Sequence, residues 1–379
     1  MTDGYFSDSY AEARERFRAA ARGAGAELVS YRNDVAPGPG GEDLCTDTAW
    51  LGPRSATKVL FTVSGTHGVE GYTGSACQIA LLGDLDANPL PPDTALVLVH
   101  ALNPFGFAYN RRVNEDNVDL NRNFIAHDLP PGNDEYPRVH PALVPAEWVG
   151  AARVAADTEL MAYAGAHGVR QLQAVVTAGQ WSHPDGLFYG GTAPVWSHRL
   201  LREIATAFLP GRARVGYIDL HTGLGERGVG EPIFRGGRDA DAFDRARSWY
   251  GPTVSRSEDG SSSSTRIVGN SATLIADVLT GGEELTAITL EFGTLPGIEV
   301  LEALRADNWL CLRAGVTPEP GAGVTPELRA AIKRQLRDAF YPPEAEWRET
   351  VLARGREVFA QAFAALAGHP IGVREPERA

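Results

Sequence analysis

His67 and Glu70 stand three residues apart in GTHGVEG, a turn with glycines at 65, 68 and 71, and His221 follows far downstream in DLHTGLG. Two imidazoles and one carboxylate can hold a catalytic zinc ion, with the fourth coordination position left to water. A tight turn can aim His67 and Glu70 at one ion, and the glycines would let the backbone bend around it without Cβ clashes. His221 would close the triangle from a remote segment. HxxE alone is a weak signal, because a chain with 9 histidines offers such spacings by chance. The bland alternative is a solvated Glu70 beside a capping His67. Arginine and asparagine gather in NPFGFAYNRRVNEDNVDLNRNF, and Glu291 interrupts an apolar run in LEFGT, where an unpartnered carboxylate is costly.

Four apolar runs must position these residues: KVLFTVS (58–64), ALVLVHAL (95–102), VGYIDL (215–220) and TAITLEF (286–292). Each is β-branched, bounded by polar turns and too short for a helix, so each reads as a buried strand. GSACQIALLGDL, between the first two, has helical spacing at Cys77, Ala80 and Leu81. The pattern predicts an α/β fold with an open, largely parallel sheet flanked by helices. In such sheets the functional crevice lies outside the carboxyl ends of the strands. His67, Glu70, the Arg/Asn segment, His221 and Glu291 all follow or end a strand, so they converge on one edge.

The remaining chain reads as one domain over 1–379. Ser9 and Glu12 have capping-box spacing, Tyr10, Ala13 and Phe17 form an apolar face, and Gly23 marks a stop, which predicts an N-terminal helix. Residues 125–160 are rich in proline and acid and suggest a surface excursion within an insertion around 125–200. EDGSSSST (258–265) reads as a flexible loop, and GVTPEPGAGVTPE as a linker. Thr325-Pro326 opens a helix, and another runs from about 344 to 366 before Gly368 and Pro370, giving a C-terminal helical extension around 325–368.

Composition narrows the function. The net charge of −13 argues against nucleic acid and anionic membranes as partners. Cys45, Cys77 and Cys311 are widely spaced and form no CxxC pair, so neither a disulfide framework nor a zinc knuckle is expected. The first residues are acidic where a secretory signal is basic, and no run approaches the roughly 18 apolar residues of a membrane span. These features predict a cytoplasmic protein. The absence of a GxSxG elbow weighs against a serine hydrolase.

GTHGVEG, VDLNRNF, DLHTG and LEFGT, in that order, resemble the zinc carboxypeptidase superfamily of metallocarboxypeptidases and aspartoacylase/succinylglutamate desuccinylase enzymes. The likeness is greatest to the bacterial carboxypeptidase-like DUF2817 branch, which the opening YFSDSYAEARERF also resembles. The resemblance covers roughly residues 55 to 300 and implies a three-layer α/β/α fold. It also implies one zinc ion on His67, Glu70 and His221, with Asp119 hydrogen-bonding a zinc histidine. By the same resemblance Asn121 and Arg122 grip a substrate carboxylate and Glu291 is the general base. The arginine that polarises the scissile carbonyl is assigned to Arg112, with Arg111 the rival for a place at the substrate, since spacing does not separate them. The implied reaction is hydrolysis of an amide in a small molecule or short peptide bearing a carboxylate. Carboxypeptidase, N-acyl amino acid deacylase and esterase remain open within it, and a non-catalytic metal or ligand binder stands outside it.

Alternatives remain at single residues. Arg122 could pair with Asp119 or Asp116, and His221 could be a core histidine satisfied by Asp219. GQWSHPDGLFYGGTAPVWSHR (179–199) could line a pocket through Tyr189 or Gln180, with His183 as a ligand, or its aromatics could fill core. Oligomeric state is not legible.

Overall fold

A computed structural model describes residues 4–316 and 324–369. The linker assigned to GVTPEPGAGVTPE falls largely on 317–323, and the stop at Pro370 also lies outside the described residues. The strands are β1 (Glu27–Asn33), β2 (Leu44–Leu51), β3 (Lys58–Val63), β4 (Thr94–His100), β5 (Arg214–Arg227), β6 (Gly230–Phe234) and β7 (Glu284–Gly293). They form one sheet in the order β1-β2-β4-β3-β5-β7-β6. The four central strands are parallel, and β1, β2 and β6 join at the edges through antiparallel pairing. The expected α/β class holds.

The strands with continuous apolar runs are covered on both faces. Val59, Phe61, Val63, Val97, Val99, Val215, Tyr217, Leu285 and Ala287 point to one core, packed under the helices Trp196–Phe208 and Ser271–Val278. Their neighbours Leu60, Leu96, Leu98, Ile218, Leu220, Ile288 and Leu290 point to the other. That second face carries the helices Tyr10–Gly23, Gly71–Asp84, Ala242–Tyr250 and Ala345–Leu366. Alternation with a period of two along each strand thus produces three layers.

The N-terminal helix starts where its cap predicts, with Ser9 Oγ accepting from Glu12 N at 3.2 Å. The Pro-rich stretch departs from expectation. Its surroundings form the helices Tyr136–Leu143, Ala151–His167 and Val169–Thr177. These bury Val139, Leu160, Leu172 and Val176 against Val300, Leu304, Leu336 and Phe340. The helix Pro326–Phe340 therefore joins this lobe over the carboxyl ends of the strands, and Ala345–Leu366 packs into the main core. Among the described residues no helix is long and apolar enough to cross a membrane.

Candidate metal centre and pocket

β3 and β5 are neighbours, yet the chain leaves β3 towards β4 on one side and reaches β5 on the other. This reversal of strand order opens the crevice between their carboxyl ends. After β3 the turn is clamped to the segment following β4: Leu102 N donates to Ser64 O at 2.9 Å and Asn103 N to Gly65 O at 2.8 Å. Gly68 N and Val69 N then donate to the carbonyls of Arg112 and Arg111 at 3.1 and 2.8 Å. A Cβ on Gly68 would sit 1.9 Å from Gly106 C. The glycine therefore allows backbone to pack on backbone, which corrects the expectation that it bends the chain around an ion.

The turn brings His67 and Glu70 to His221, near the end of the inter-strand pairing of β5. His67 Nδ1 lies 2.9 Å from Glu70 Oε1, His221 Nδ1 lies 2.8 Å from Glu70 Oε2, and the two Nδ1 atoms are 3.1 Å apart. Among the described residues these three form the group whose ligand atoms all fall within 4.8 Å of one another. Tetrahedral zinc with bonds near 2.0–2.1 Å separates its ligands by about 3.3 Å, so the triangle is close to the required size. The outer nitrogens are already engaged. His67 Nε2 meets Asp119 Oδ1 at 3.1 Å and His221 Nε2 meets Asp219 Oδ2 at 2.8 Å. Thr66 and Ser271 hydroxyls hold Asp219, each at 2.7 Å. Carboxylates on the outer nitrogens favour a proton there, the tautomer that would leave both Nδ1 atoms to face an ion. Asp219 thus satisfies His221 and leaves it free to bind an ion, so its two sequence readings are compatible.

The electrostatics ask for a cation. Burial alone would lower the His221 pKa, but Asp219 and Glu70 outweigh it and bring the ring to about 10. Burial would raise Glu70, yet His67 and His221 hold its carboxyl far below the usual range. Asp119 is likewise held well below it, with Arg112, Arg122 and His67 overcoming burial. Two facing ring nitrogens and a buried carboxylate need a proton or a metal between them, and the donor set fits a divalent ion.

The geometry separates the two candidate arginines. Arg112 lines the cavity, donating to Glu70 Oε1 at 2.8 Å and Asp119 Oδ2 at 3.1 Å, with Nη2 2.9 Å from His67 Nε2. Arg111 instead donates to Asp307 at 3.1 Å and Asn117 at 3.0 Å, outside the cavity lining. Asn121 lines the cavity, with Nδ2 3.3 Å from His221 Nε2 and Oδ1 accepting from Ser271 N at 2.9 Å. Arg122 donates to Thr177 O and Asn121 O, each at 3.0 Å, while Asp119 stands 3.8 Å away. Burial pulls Arg122 down to about 10 against the pull of Asp119, and Arg112 and Arg235 push it further the same way.

Glu291 lies opposite His221 in the β5/β7 register. It accepts from Leu224 N at 3.0 Å, and burial together with Glu70 raises its pKa. It shares with the His–Glu–His group a cavity of about 460 Å³. Arg235, Leu172 and Val176 line this cavity without having stood out in the sequence, and of the aromatic-rich segment 179–199 it is Phe188 that lines it. Phe188 lies beneath both guanidiniums, 5.2 Å from Arg112 and 5.3 Å from Arg122. Arg235 follows directly on β6, whose five residues include Gly and Pro and so give little strand signal. Gln180 and Tyr189 lie outside the lining. The Gln180 side chain bonds within its own loop, to Ser182, His183 and Leu187, and Tyr189 is buried in the core. The Ser182 hydroxyl is 2.8 Å from His183, which is also absent from the lining.

Fold and site together define an α/β protein with a buried His–Glu–His centre at a strand-order reversal. The chain belongs to the family described as Protein of unknown function (DUF2817), whose profile matches residues 6–354. No curated protein matches it. Among solved structures, carboxypeptidase A from Helicoverpa armigera is 14% identical, with 94% of this chain and 74% of that one covered and a TM-score of 0.44. Bovine thrombin-activatable fibrinolysis inhibitor, in complex with tick carboxypeptidase inhibitor, is 12% identical, with coverages of 93% and 99% and a TM-score of 0.42. Succinylglutamate desuccinylase from Chromobacterium violaceum is 16% identical, with coverages of 87% and 74% and a TM-score of 0.36.

Proposed function

We propose that this protein is a zinc-dependent hydrolase of amide bonds in substrates that carry a carboxylate. One observation carries the reading: both His Nδ1 atoms and the Glu70 carboxylate converge on one point, in the cavity that holds Glu291. Bound at His67, Glu70 and His221, zinc would supply a Lewis acid and lower the pKa of a nearby water towards about 7. Glu291 is the base in this reading. Its carboxylate takes the proton from the attacking water and passes it to the leaving amine. Arg112 presents N–H groups to the negative charge that develops on the carbonyl oxygen. Phe188 stacks beneath the Arg112 and Arg122 guanidiniums and helps to fix their planes. Asn121 and Arg122 orient the substrate carboxylate, and Asp119 and Asp219 keep the histidine rings in the tautomer that binds metal.

Peptides and N-acyl amino acids present the same bond and charge to these groups, so the reading covers both. Cys45, Cys77 and Cys311 are free thiols, which supports a reducing compartment such as the cytoplasm for the proposed activity. The test is a screen of short peptides and N-acyl amino acids against zinc-loaded protein. Hydrolysis that stops on chelation and returns with zinc supports the reading. Stoichiometric zinc without turnover on any carboxylate-bearing amide would favour a metal-binding protein that is not an enzyme.

A further inference from the structure

Three arginines line the cavity, and their partners differ. Arg112 meets two carboxylates. Arg122 has Asp119 at 3.8 Å and two backbone carbonyls. Arg235 has only hydroxyls: Nε donates to Thr289 Oγ1 at 2.9 Å and Nη2 to Ser264 Oγ at 3.4 Å. Among the described residues no carboxylate oxygen lies within 4.0 Å of it. A guanidinium has five N–H donors, so both Nη1 protons and one on Nη2 are left uncommitted in the pocket.

Thr289 and Ser264 hold Arg235 in place, while Glu291, Asp219, Glu231 and Glu258 act on its charge from beyond contact distance. Thr289 lies on β7 two residues before Glu291, on the same strand face. Ser264 Oγ donates to Thr265 O at 3.0 Å and so offers its lone pairs to Arg235. Thr265 in turn meets Thr177 through their hydroxyls at 2.7 Å, and Thr177 O is the acceptor that holds Arg122. The two arginines therefore stand at opposite ends of one short bridge of hydroxyl residues. Two like charges in a shared cavity, one with no carboxylate in contact among the described residues, form a receptor for anions.

We propose that Arg235, seated on Thr289 and Ser264, is a second anion-binding subsite beside Arg122, and that the substrate carries two carboxylates, as an N-acylated or peptide-linked acidic amino acid does. The choice of substrate rests on the hydrolase reading; the subsite rests on the partners of Arg235 alone.

The experiment measures calorimetric binding of glutarate and succinate to the zinc-loaded protein, against glutaramate and succinamate, which replace one carboxylate by an amide of the same shape. Wild-type protein should favour the dicarboxylates by about tenfold to hundredfold, the range of a charge-assisted two-point contact. Arg235→Gln should abolish that preference, and Arg235→Lys should keep part of it. Circular dichroism and melting temperature check that each variant is folded. No preference in the wild type, or an unchanged preference in folded Arg235→Gln, overturns the subsite. A preference that depends on Arg235 in a protein that cleaves no amide would uphold the subsite and sink the hydrolase reading instead.

Discussion

At the scale of single residues, the centre separates binding from turnover. Among the described residues the Glu291 carboxylate hydrogen-bonds Leu224 N at 3.0 Å and no metal-ligand side chain. Glu291→Gln should keep zinc stoichiometry and lower kcat by about 10²- to 10⁴-fold, the usual weight of a positioned base. Steady-state kinetics beside elemental analysis checks this, and full turnover in the variant would remove Glu291 from its role. Asp219 acts through another group, since its Oδ2 lies 2.8 Å from His221 Nε2. Asp219→Asn should weaken zinc affinity by about 10- to 100-fold while the fold persists. Competition with a fluorescent chelator reads that shift; unchanged affinity would make Asp219 a packing residue only. At this scale the sequence was informative where chemistry restricts the residue type. His67, Glu70, His221, Arg112, Asn121, Arg122 and Glu291 all line the cavity. It was silent where adjacency decides: Arg111 and Arg112 are neighbours, and only the path to Asp307 assigns one of them elsewhere.

At the scale of elements, the metal turn depends on close backbone contact. Gly68→Ala would place a Cβ 1.9 Å from Gly106 C and 2.2 Å from Phe107 N, with no flexible side chain to yield. The substitution should destabilise the protein by roughly 2–4 kcal/mol and loosen the metal turn. A denaturant midpoint unchanged from wild type would contradict the packing described. The strands that carry the site were legible because β3, β4, β7 and most of β5 are buried on both faces and read as largely apolar runs. β1 exposes much of its length, β2 is interrupted by Thr46, Asp47 and Thr48, and β6 is short, so none has that signature. The helices around 136–177 were hidden for a different reason. Proline at 137 and 141 and the acidic flank mimic a loop, while their apolar partners lie far along the chain at Val300 and Leu336. Long-range burial overrode local composition.

At the scale of the whole molecule, pH acts on a buried histidine outside the lining of the cavity. His100 packs on Phe17 with ring centroids 4.4 Å apart and meets Ser75 Oγ at 2.8 Å. Burial, outweighing Asp47, lowers its pKa to about 4. The unfolded chain protonates this ring near 6.5 while the native ring stays neutral to about 4. The unfolded state therefore binds more protons in that window. Stability from this group is complete above pH 6.5 and is lost as pH falls towards 4, on the order of 3 kcal/mol. His100→Gln should flatten that part of the stability profile, and an identical slope in the variant would exclude the assignment. The central claim, that His67, Glu70 and His221 grasp one divalent ion, is met most directly by metal analysis of purified protein. About one zinc per chain, retained in Glu291→Gln and lost in both His67→Ala and His221→Ala, is the predicted result. Equal zinc in wild type and the two histidine variants, or an active protein that is free of metal and indifferent to chelators, would contradict it.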